Sequence, residues 1–303
     1  MGTEVGSQLS ESLIDELRKE RASLWRILFE QSRDGIVVLK VDGSVFEANQ
    51  EFARMLGYSI EEIRQMRVWE WDVHYSKTQI LEKLAKIGDP GEQLETRKSR
   101  KDGSVIDVEL SNSATVFEGK KLIFCICRDI TQRKLLEAEI FRYATTDNLT
   151  GLFNRRSFDQ RLTEEMDLTM RYGSPMALVM YDFDGFKDIN DAHGHVQGDK
   201  VLEQSARLVR DNVRSTDMVV RWGGEEFMIL VPQARLVTAK VLAEKLRQVL
   251  EEYVFSARFH VTASFGVTEY VPGESKDTLL KRVDDALYRA KALGRNRVEV
   301  LSS

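Results

Sequence analysis

The sequence predicts an α+β protein of two domains, in which short strands and helices alternate along most of the chain. The chain has 303 residues, enough for two domains of ordinary size. Several apolar runs have the length of strands and are separated by Asp-Gly or Gly-rich turns. Near the middle, residues 132–146 contain neither proline nor glycine and carry apolar side chains at helical spacing. These features predict two folded domains joined by a helix.

The composition excludes several classes of protein. With 42% hydrophobic and 31% charged residues, the chain is expected to be globular. Its net charge of -5 argues against a nucleic-acid-binding protein, which usually has a basic face. No apolar run approaches the roughly 20 residues that span a bilayer, so we expect no membrane partner. Cys125 and Cys127 lie two residues apart on a predicted strand, where a disulfide fits poorly, so a cytoplasmic location is expected.

The first 24 residues are predicted to form an amphipathic helix. Leucines recur at helical spacing from Leu13 through Leu17 and Leu24 to Leu28. This helix either packs on its own domain or forms a short dimer seam, and the sequence leaves both open.

The first domain is predicted at 25–132. Its pattern begins with a strand pair that turns at Asp42-Gly43. Asn49 then caps a helix that ends at Gly57, and Ser59 starts the next helix through a capping box. Three strands follow, separated by turns at Asp102-Gly103 and Glu118-Gly119.

The order of these segments resembles a PAS sensor domain. The matching segments are Ala48-Asn49-Gln50-Glu51-Phe52, Gly57-Tyr58-Ser59, Lys101-Asp102-Gly103 and Asp129-Ile130-Thr131-Gln132-Arg133. The ligand of this domain stays unknown, with haem, a flavin, a fatty acid or none left open. Residues 133–146 then form a predicted signalling helix.

In the second half, an acidic segment follows a wholly apolar strand. The run from Met176 to Tyr181 leads directly into Asp182-Phe183-Asp184-Gly185-Phe186-Lys187. Carboxylates at the end of a buried strand are costly unless they are exposed, paired or bound to a cation. A site for a metal and a triphosphate explains the acids, the glycine and the lysine together. The alternative is that one of the aspartates only caps the next helix.

A tight hairpin carries a second pair of acids. Strand-like runs at 217–222 and 227–232 are separated only by Gly223-Gly224-Glu225-Glu226. If Glu225 lies near Asp182, the two carboxylates form a site for Mg²⁺ or Mn²⁺. A solvated acidic turn is the alternative.

Four motifs in this half resemble the GGDEF family of diguanylate cyclases, in its Gly-Gly-Glu-Glu-Phe form. Besides the acidic segment and the hairpin, they are Asp147-Asn148-Leu149-Thr150-Gly151-Leu152-Phe153-Asn154-Arg155-Arg156 and Ala286-Leu287-Tyr288-Arg289-Ala290-Lys291. The resemblance places a domain at 147–303, with a mostly antiparallel central sheet flanked by helices.

The resemblance implies a role for each matching residue. Metal ligands would be the carboxylates of Asp182 and Glu225 and the backbone carbonyl of Phe183. Glu225 and Glu226 would be catalytic, the first helping to deprotonate a 3′-hydroxyl. The GTP-binding residues would be Gly185, Phe186, Lys187, Lys291 and Arg295 at the phosphates, Asn190 and Asp199 at guanine, and His195, for which a packing role is the alternative.

The implied reaction joins two GTP molecules into cyclic di-GMP across a homodimer, with release of two pyrophosphates, in bacterial signalling. Arg214 and Asp217 match the family's Arg-x-x-Asp site for inhibition by the product. The alternative function is a receptor that binds GTP or cyclic di-GMP without catalysis.

Overall fold

The computed structural model describes residues 20, 23–88, 90–255 and 260–302. The chain divides into two compact units, Met1–Ala138 and Glu139–Ser303. The predicted helix at 1–24 lies almost entirely outside the described residues, although 23–30 are helical. In the part of the chain that is described, no helix combines the length and the apolar character needed to cross a membrane.

The first unit contains one antiparallel sheet with short helices. Its strands are β1 (Gly35–Lys40), β2 (Val45–Ala48), β3 (Glu92–Ser99), β4 (Val105–Phe117) and β5 (Lys120–Asp129). They pair in the order β2-β1-β5-β4-β3. The helices are α1 (Gln50–Leu56), α2 (Ile60–Gln65) and α3 (Lys77–Lys86), with a 3₁₀ turn at Val68–Glu70.

The predicted helix caps of the first unit are present. Asn49 accepts a hydrogen bond from the Phe52 backbone N–H, and α1 ends at Gly57 with a positive φ of 77°. Ser59 begins α2 through a reciprocal capping box with Glu62. Asn49 is buried and its side chain also bonds the backbone at Ile36, so one residue joins the helix start to the sheet.

The second unit has a six-stranded sheet. It is mostly antiparallel, as the family resemblance implies. A long helix, α4 (Thr131–Thr145), precedes it. The strands are β6 (Phe153–Asn154), β7 (Met176–Phe183), β8 (Met218–Gly223), β9 (Glu226–Pro232), β10 (Ala263–Glu269) and β11 (Val298–Val300), in the order β11-β10-β7-β9-β8-β6. The helices are α5 (Arg155–Tyr172), α6 (Phe186–His193), α7 (His195–Asn212), α8 (Leu236–Glu252) and α9 (Lys276–Ala292).

Strand β7 is buried along its whole length because helices cover both faces of the sheet. Its odd-numbered residues belong to a core with apolar residues of α7 and α8. Its even-numbered residues, from Met176 to Met180, pack with α5 and α9. Side chains alternate along a strand, so Asp182 belongs to the face that α9 covers. This alternation decides which helix supplies a partner to the aspartate.

Candidate active site

The acidic hairpin meets the carboxyl end of β7. Strands β8 and β9 turn at Gly223–Glu226, with Gly224 at a positive φ of 54°. Strand β9 also pairs with β7, and the register places Glu226 opposite Asp182. The two acidic segments that the sequence singled out are therefore adjacent in space.

Asp182 lies in an electrostatically unfavourable place for a carboxylate. It is only 5% exposed. Burial is the main cause that raises the pKa of Asp182 to about 6; the Lys291 ammonium opposes the rise, and repulsion from Glu225 and Glu226 adds to it. Lys291 Nζ lies 2.7 Å from Asp182 Oδ1, as the strand alternation requires of a residue on α9. Lys291 is thus the cation that offsets part of a surplus of negative charge.

The donor set fits a hard divalent cation. Carboxylate and carbonyl oxygens are the ligands that Mg²⁺ takes in proteins, and a cation here would relieve the repulsion among the three acids. Phe183 can contribute only its backbone carbonyl, because its ring is buried in the core between Tyr181, Phe186 and Phe227. Within the described residues, no group of three or more His, Cys, Asp or Glu side chains is arranged to hold a metal. The predicted ligand set consists of two carboxylates and one backbone carbonyl, so it does not require three such side chains.

Asp184 is engaged by the surrounding loops. It accepts hydrogen bonds from Thr262 Oγ1 at 2.7 Å, Ser264 Oγ at 2.6 Å and the Asn296 backbone N–H at 3.0 Å. These bonds join the end of β7 to β10 and to the segment after α9. Asp184 therefore holds together the backbone on which the predicted site residues stand.

Helix α6 begins directly after the acidic segment. Gly185 has a positive φ of 67°, which allows the sharp entry, and the buried ring of Phe186 anchors the first turn. The first N–H groups of a helix lack intrahelical acceptors and attract anions. Lys187 is exposed in the same turn. This end of α6 has the chemistry of a phosphate-binding site.

The predicted guanine-binding residues lie where α6 and α7 meet. Asn190 is half-buried near the end of α6, and its side-chain oxygen lies against the backbone of Gly198 on α7. A Cβ at Gly198 would overlap that oxygen and press on the Phe186 ring. The close contact between the two helices therefore requires glycine at position 198. In the sequence, a glycine inside a helical pattern is the feature that indicates such a close contact. Asp199, the next residue, is exposed.

The remaining predicted residues are less constrained. His195 is exposed at the start of α7. Arg295 is exposed just beyond α9, with a left-handed φ of 62°. The structure thus brings Asp182, Glu225, Glu226 and Lys291 together. The other two predicted cationic residues, Lys187 and Arg295, are exposed at the edge of this cluster.

One contact at the hairpin was not assigned from the sequence. Arg221 Nε donates to the Gly224 carbonyl at 2.9 Å, and its Nη1 donates to Asp147 at 3.1 Å. Burial would raise the pKa of Asp147, but hydrogen bonds from Thr150 and the charge of Arg221 outweigh burial and lower it. Asp147 is therefore ionised and holds Arg221 against the turn that carries the two glutamates.

The predicted product-binding pair lies on a separate surface. Arg214 and Asp217 form a closed turn through reciprocal hydrogen bonds of 3.0 Å. The turn lines a groove of about 740 Å³ beside α5. The second carboxylate oxygen of Asp217 is buried and has no hydrogen-bond partner among the described residues.

Residues 144–297, about half of the chain, match the family model described as the GGDEF domain of diguanylate cyclases. The chain belongs to this family. Residues 33–132 of this GGDEF protein match a PAS domain model. Both findings confirm the resemblances seen in the sequence.

Named relatives agree with the family assignment. The chain is 38% identical over 259 residues to diguanylate cyclase DgcM of Escherichia coli, a match that covers 85% of this chain and 63% of DgcM. It therefore spans somewhat less than two thirds of that relative. It is 37% identical to diguanylate cyclase VdcA of Vibrio cholerae, over 56% of this chain and 51% of VdcA.

Solved structures match the second half of the GGDEF protein. The coiled coil and GGDEF domain of DgcB from Caulobacter crescentus, in complex with c-di-GMP, aligns with a TM-score of 0.53 and 32% identity, over 56% of this chain and 92% of that one. SiaD from Pseudomonas aeruginosa, a diguanylate cyclase in complex with its activator SiaC, aligns with a TM-score of 0.52 and 38% identity, over 57% and 66%.

Proposed function

We propose that this protein is a diguanylate cyclase that condenses two GTP molecules into cyclic di-GMP and two pyrophosphates. One observation carries the proposal: the buried Asp182 carboxylate, two glutamates and the Lys291 ammonium meet beside the N-terminus of α6. A cation site next to an anion site is what a metal-bound triphosphate requires. The relatives' names support the same reaction.

In this proposal Asp182, Glu225 and the Phe183 carbonyl hold the metal. Mg²⁺, or Mn²⁺ in its place, would neutralise phosphate charge and polarise the reacting phosphorus. With Asp182 committed to the metal, Lys291 would be released from its contact with this carboxylate and could bind a phosphate oxygen. Lys187, Arg295 and the N–H groups at Gly185 and Phe186 hold the rest of the triphosphate.

Guanine is selected by hydrogen bonding. The Asp199 carboxylate accepts from N1–H and the exocyclic amine of guanine, and Asn190 binds another edge of the base. Adenine has an acceptor at N1 and would leave the carboxylate unmatched, which disfavours ATP. His195 lies at the start of α7, close in sequence to this pair, and contacts the nucleotide from the rim.

The chemical step is two in-line phosphoryl transfers. Each 3′-hydroxyl oxygen attacks the α-phosphorus of the other GTP, the new P–O bond forms, and the bond to pyrophosphate breaks. The hydroxyl proton passes to Glu225 and then to solvent. Glu226 stabilises the charge that develops. One subunit holds one GTP, so the reaction requires a homodimer, and the PAS domain and product binding at Arg214 and Asp217 regulate it.

The test is turnover of GTP by the full chain with Mg²⁺, followed by release of pyrophosphate and by chromatography of the nucleotide product. We expect one pyrophosphate per GTP consumed, cyclic di-GMP as the product, and a loss of at least about a thousandfold in rate for Glu225→Gln. Binding of GTP or cyclic di-GMP with no turnover, under conditions where the chain is dimeric, would support the receptor function instead and reject the proposal.

A further inference from the structure

The first unit contains a buried lysine that the proposed cyclase activity does not use. Lys98 lies on β3 and is only 3% exposed. Side chains alternate along the strand, so Thr96, which is 4% exposed, lies on the same inner face. A lysine is almost never fully buried without a partner. Its position therefore calls for an explanation.

Neither polar group has a partner within the part of the chain that the structure describes. The Lys98 ammonium makes no ion pair or hydrogen bond with the described residues, and the hydroxyl oxygen of Thr96 is buried without a hydrogen bond. Asp72 forms a backbone bridge with Lys98, but one oxygen of its carboxylate accepts the N–H groups of His74 and Tyr75. A buried ammonium without a counter-charge is strongly unfavourable.

Both groups line a cavity of about 70 Å³. Most of its wall is apolar and comes from Val37, Leu39, Trp71, Ile80, Leu84 and Leu110. This volume has room for roughly five water-sized spheres, far below the several hundred Å³ that a large cofactor fills. Haem, a flavin or a long fatty acid does not fit the cavity, whereas a molecule of a few heavy atoms does.

None of the other groups at the cavity forms an ion pair with Lys98 among the described residues, including the half-buried Asp72. Burial raises the pKa of the Cys125 and Cys127 thiols, which stay neutral. Asn112 is uncharged, and its side-chain oxygen accepts the Glu92 N–H at 3.4 Å. Glu92 is itself exposed at the mouth. The cavity lining therefore combines the unpaired Lys98 ammonium, the unpaired Thr96 hydroxyl and an apolar wall, while the charged groups of Lys83 and Glu92 are exposed.

We propose that this cavity binds a small monocarboxylate, with its carboxylate on Lys98 and Thr96 and its short alkyl end against the apolar wall. A single negative charge matches the one buried ammonium, that of Lys98. A dicarboxylate or phosphate would bring a second charge against apolar side chains, which is costly. This inference does not depend on the proposed cyclase activity, because the cavity and its lining belong to the first unit alone.

The test is titration of the full chain with propionate, followed by calorimetry and by the thermal unfolding midpoint. Propionamide, which has nearly the same shape and no charge, is the matched ligand control. We expect propionate to bind and propionamide to bind at least tenfold more weakly. Lys98→Met should weaken propionate binding by about thirtyfold or more, and Thr96→Val by about fivefold. Lys120→Met, which removes an exposed lysine of β5, should leave binding unchanged.

Lys98→Met has a second signature that does not need a ligand. Replacing an unpaired buried charge with an apolar side chain of similar length should raise the unfolding midpoint of the ligand-free protein. If the purified chain already carries its ligand, heat denaturation should release about one equivalent of a small carboxylate, which NMR of the filtrate detects. Equal binding of propionate and propionamide, or full binding by Lys98→Met, overturns the proposal, as does neither binding nor release.

Discussion

Asp147 and Arg221 form an ion pair that joins the start of the second unit to the acidic hairpin. Arg221 Nη1 lies 3.1 Å from Asp147, and Arg221 Nε bonds the Gly224 carbonyl one residue before Glu225. Arg221→Met should remove both contacts, so we expect kcat to fall at least about tenfold with a smaller change in KM, because Glu225 loses its fixed position. The loss of unfolding free energy should be about 1–3 kcal/mol.

Saturating-GTP rates and urea unfolding measure the two effects. The control is Arg64→Met, which removes an exposed pair with Glu47 at 3.0 Å and should change stability by less than about 0.5 kcal/mol. Asp147→Asn should reproduce the Arg221→Met loss in kcat. Full activity in both variants would show that the pair does not position the hairpin.

Asp182 should make stability depend on pH, with a sign opposite to that of an ordinary salt-bridged carboxylate. The pKa rises from 3.8 in the unfolded chain to about 6 in the folded one. Below pH 3.8 the Asp182 carboxyl is protonated in both the folded and the unfolded state, so it does not lower the free energy of unfolding. Between 3.8 and 6 the unfolded chain releases its proton first, so stability falls as pH rises, and above 6 the cost is constant.

Asp182→Asn should therefore be more stable than the parent chain at pH 7.5, although it is expected to lack activity. In EDTA we expect a gain on the order of 1 kcal/mol, reduced by the lost Lys291 contact and by solvent screening. The gain should vanish near pH 4. Asp199→Asn, at an exposed carboxylate, should show no such gain. Urea unfolding at the two pH values measures both variants, and equal stability of Asp182→Asn and parent at pH 7.5 would contradict the expectation.

Much of the site follows from local pattern. The apolar run before Asp182 predicts a buried strand, and the two glycines after Trp222 predict the turn that brings Glu225 to it. Contacts that depend on packing between distant segments do not follow from such patterns. The pairing of Lys291 with Asp182 depends on which helix covers that face of β7. The ion pair of Arg221 with Asp147 joins residues 74 positions apart in the chain. Single-sequence periodicity contains neither piece of information.

Gly198→Ala tests the contact between α6 and α7. The added methyl group would overlap the Asn190 side-chain oxygen, so Asn190 must move from the position in which we propose it reads guanine. We expect KM for GTP to rise about tenfold and kcat to change much less. Gly88→Ala is the matched control, since a Cβ there meets nothing within 4 Å, and its kinetics should equal those of the parent. An unchanged KM in Gly198→Ala would mean that the helices separate without affecting the base.

The turn formed by Arg214 and Asp217 should control inhibition by the product. One Asp217 oxygen accepts from the Arg214 N–H, and the other is buried without a partner among the described residues, so the turn has an unused acceptor that a shift of the turn would expose to a guanine edge. Charge-assisted hydrogen bonds contribute about 1.5–3 kcal/mol, which corresponds to roughly ten- to hundredfold in affinity. Asp217→Asn should therefore raise the cyclic di-GMP concentration that half-inhibits turnover by at least tenfold. Initial rates at increasing added cyclic di-GMP measure the shift.

The control is Asp211→Asn, which changes an exposed carboxylate near the end of α7 and should leave the inhibition curve unchanged. If both variants retain the parent curve, product inhibition acts elsewhere on the protein.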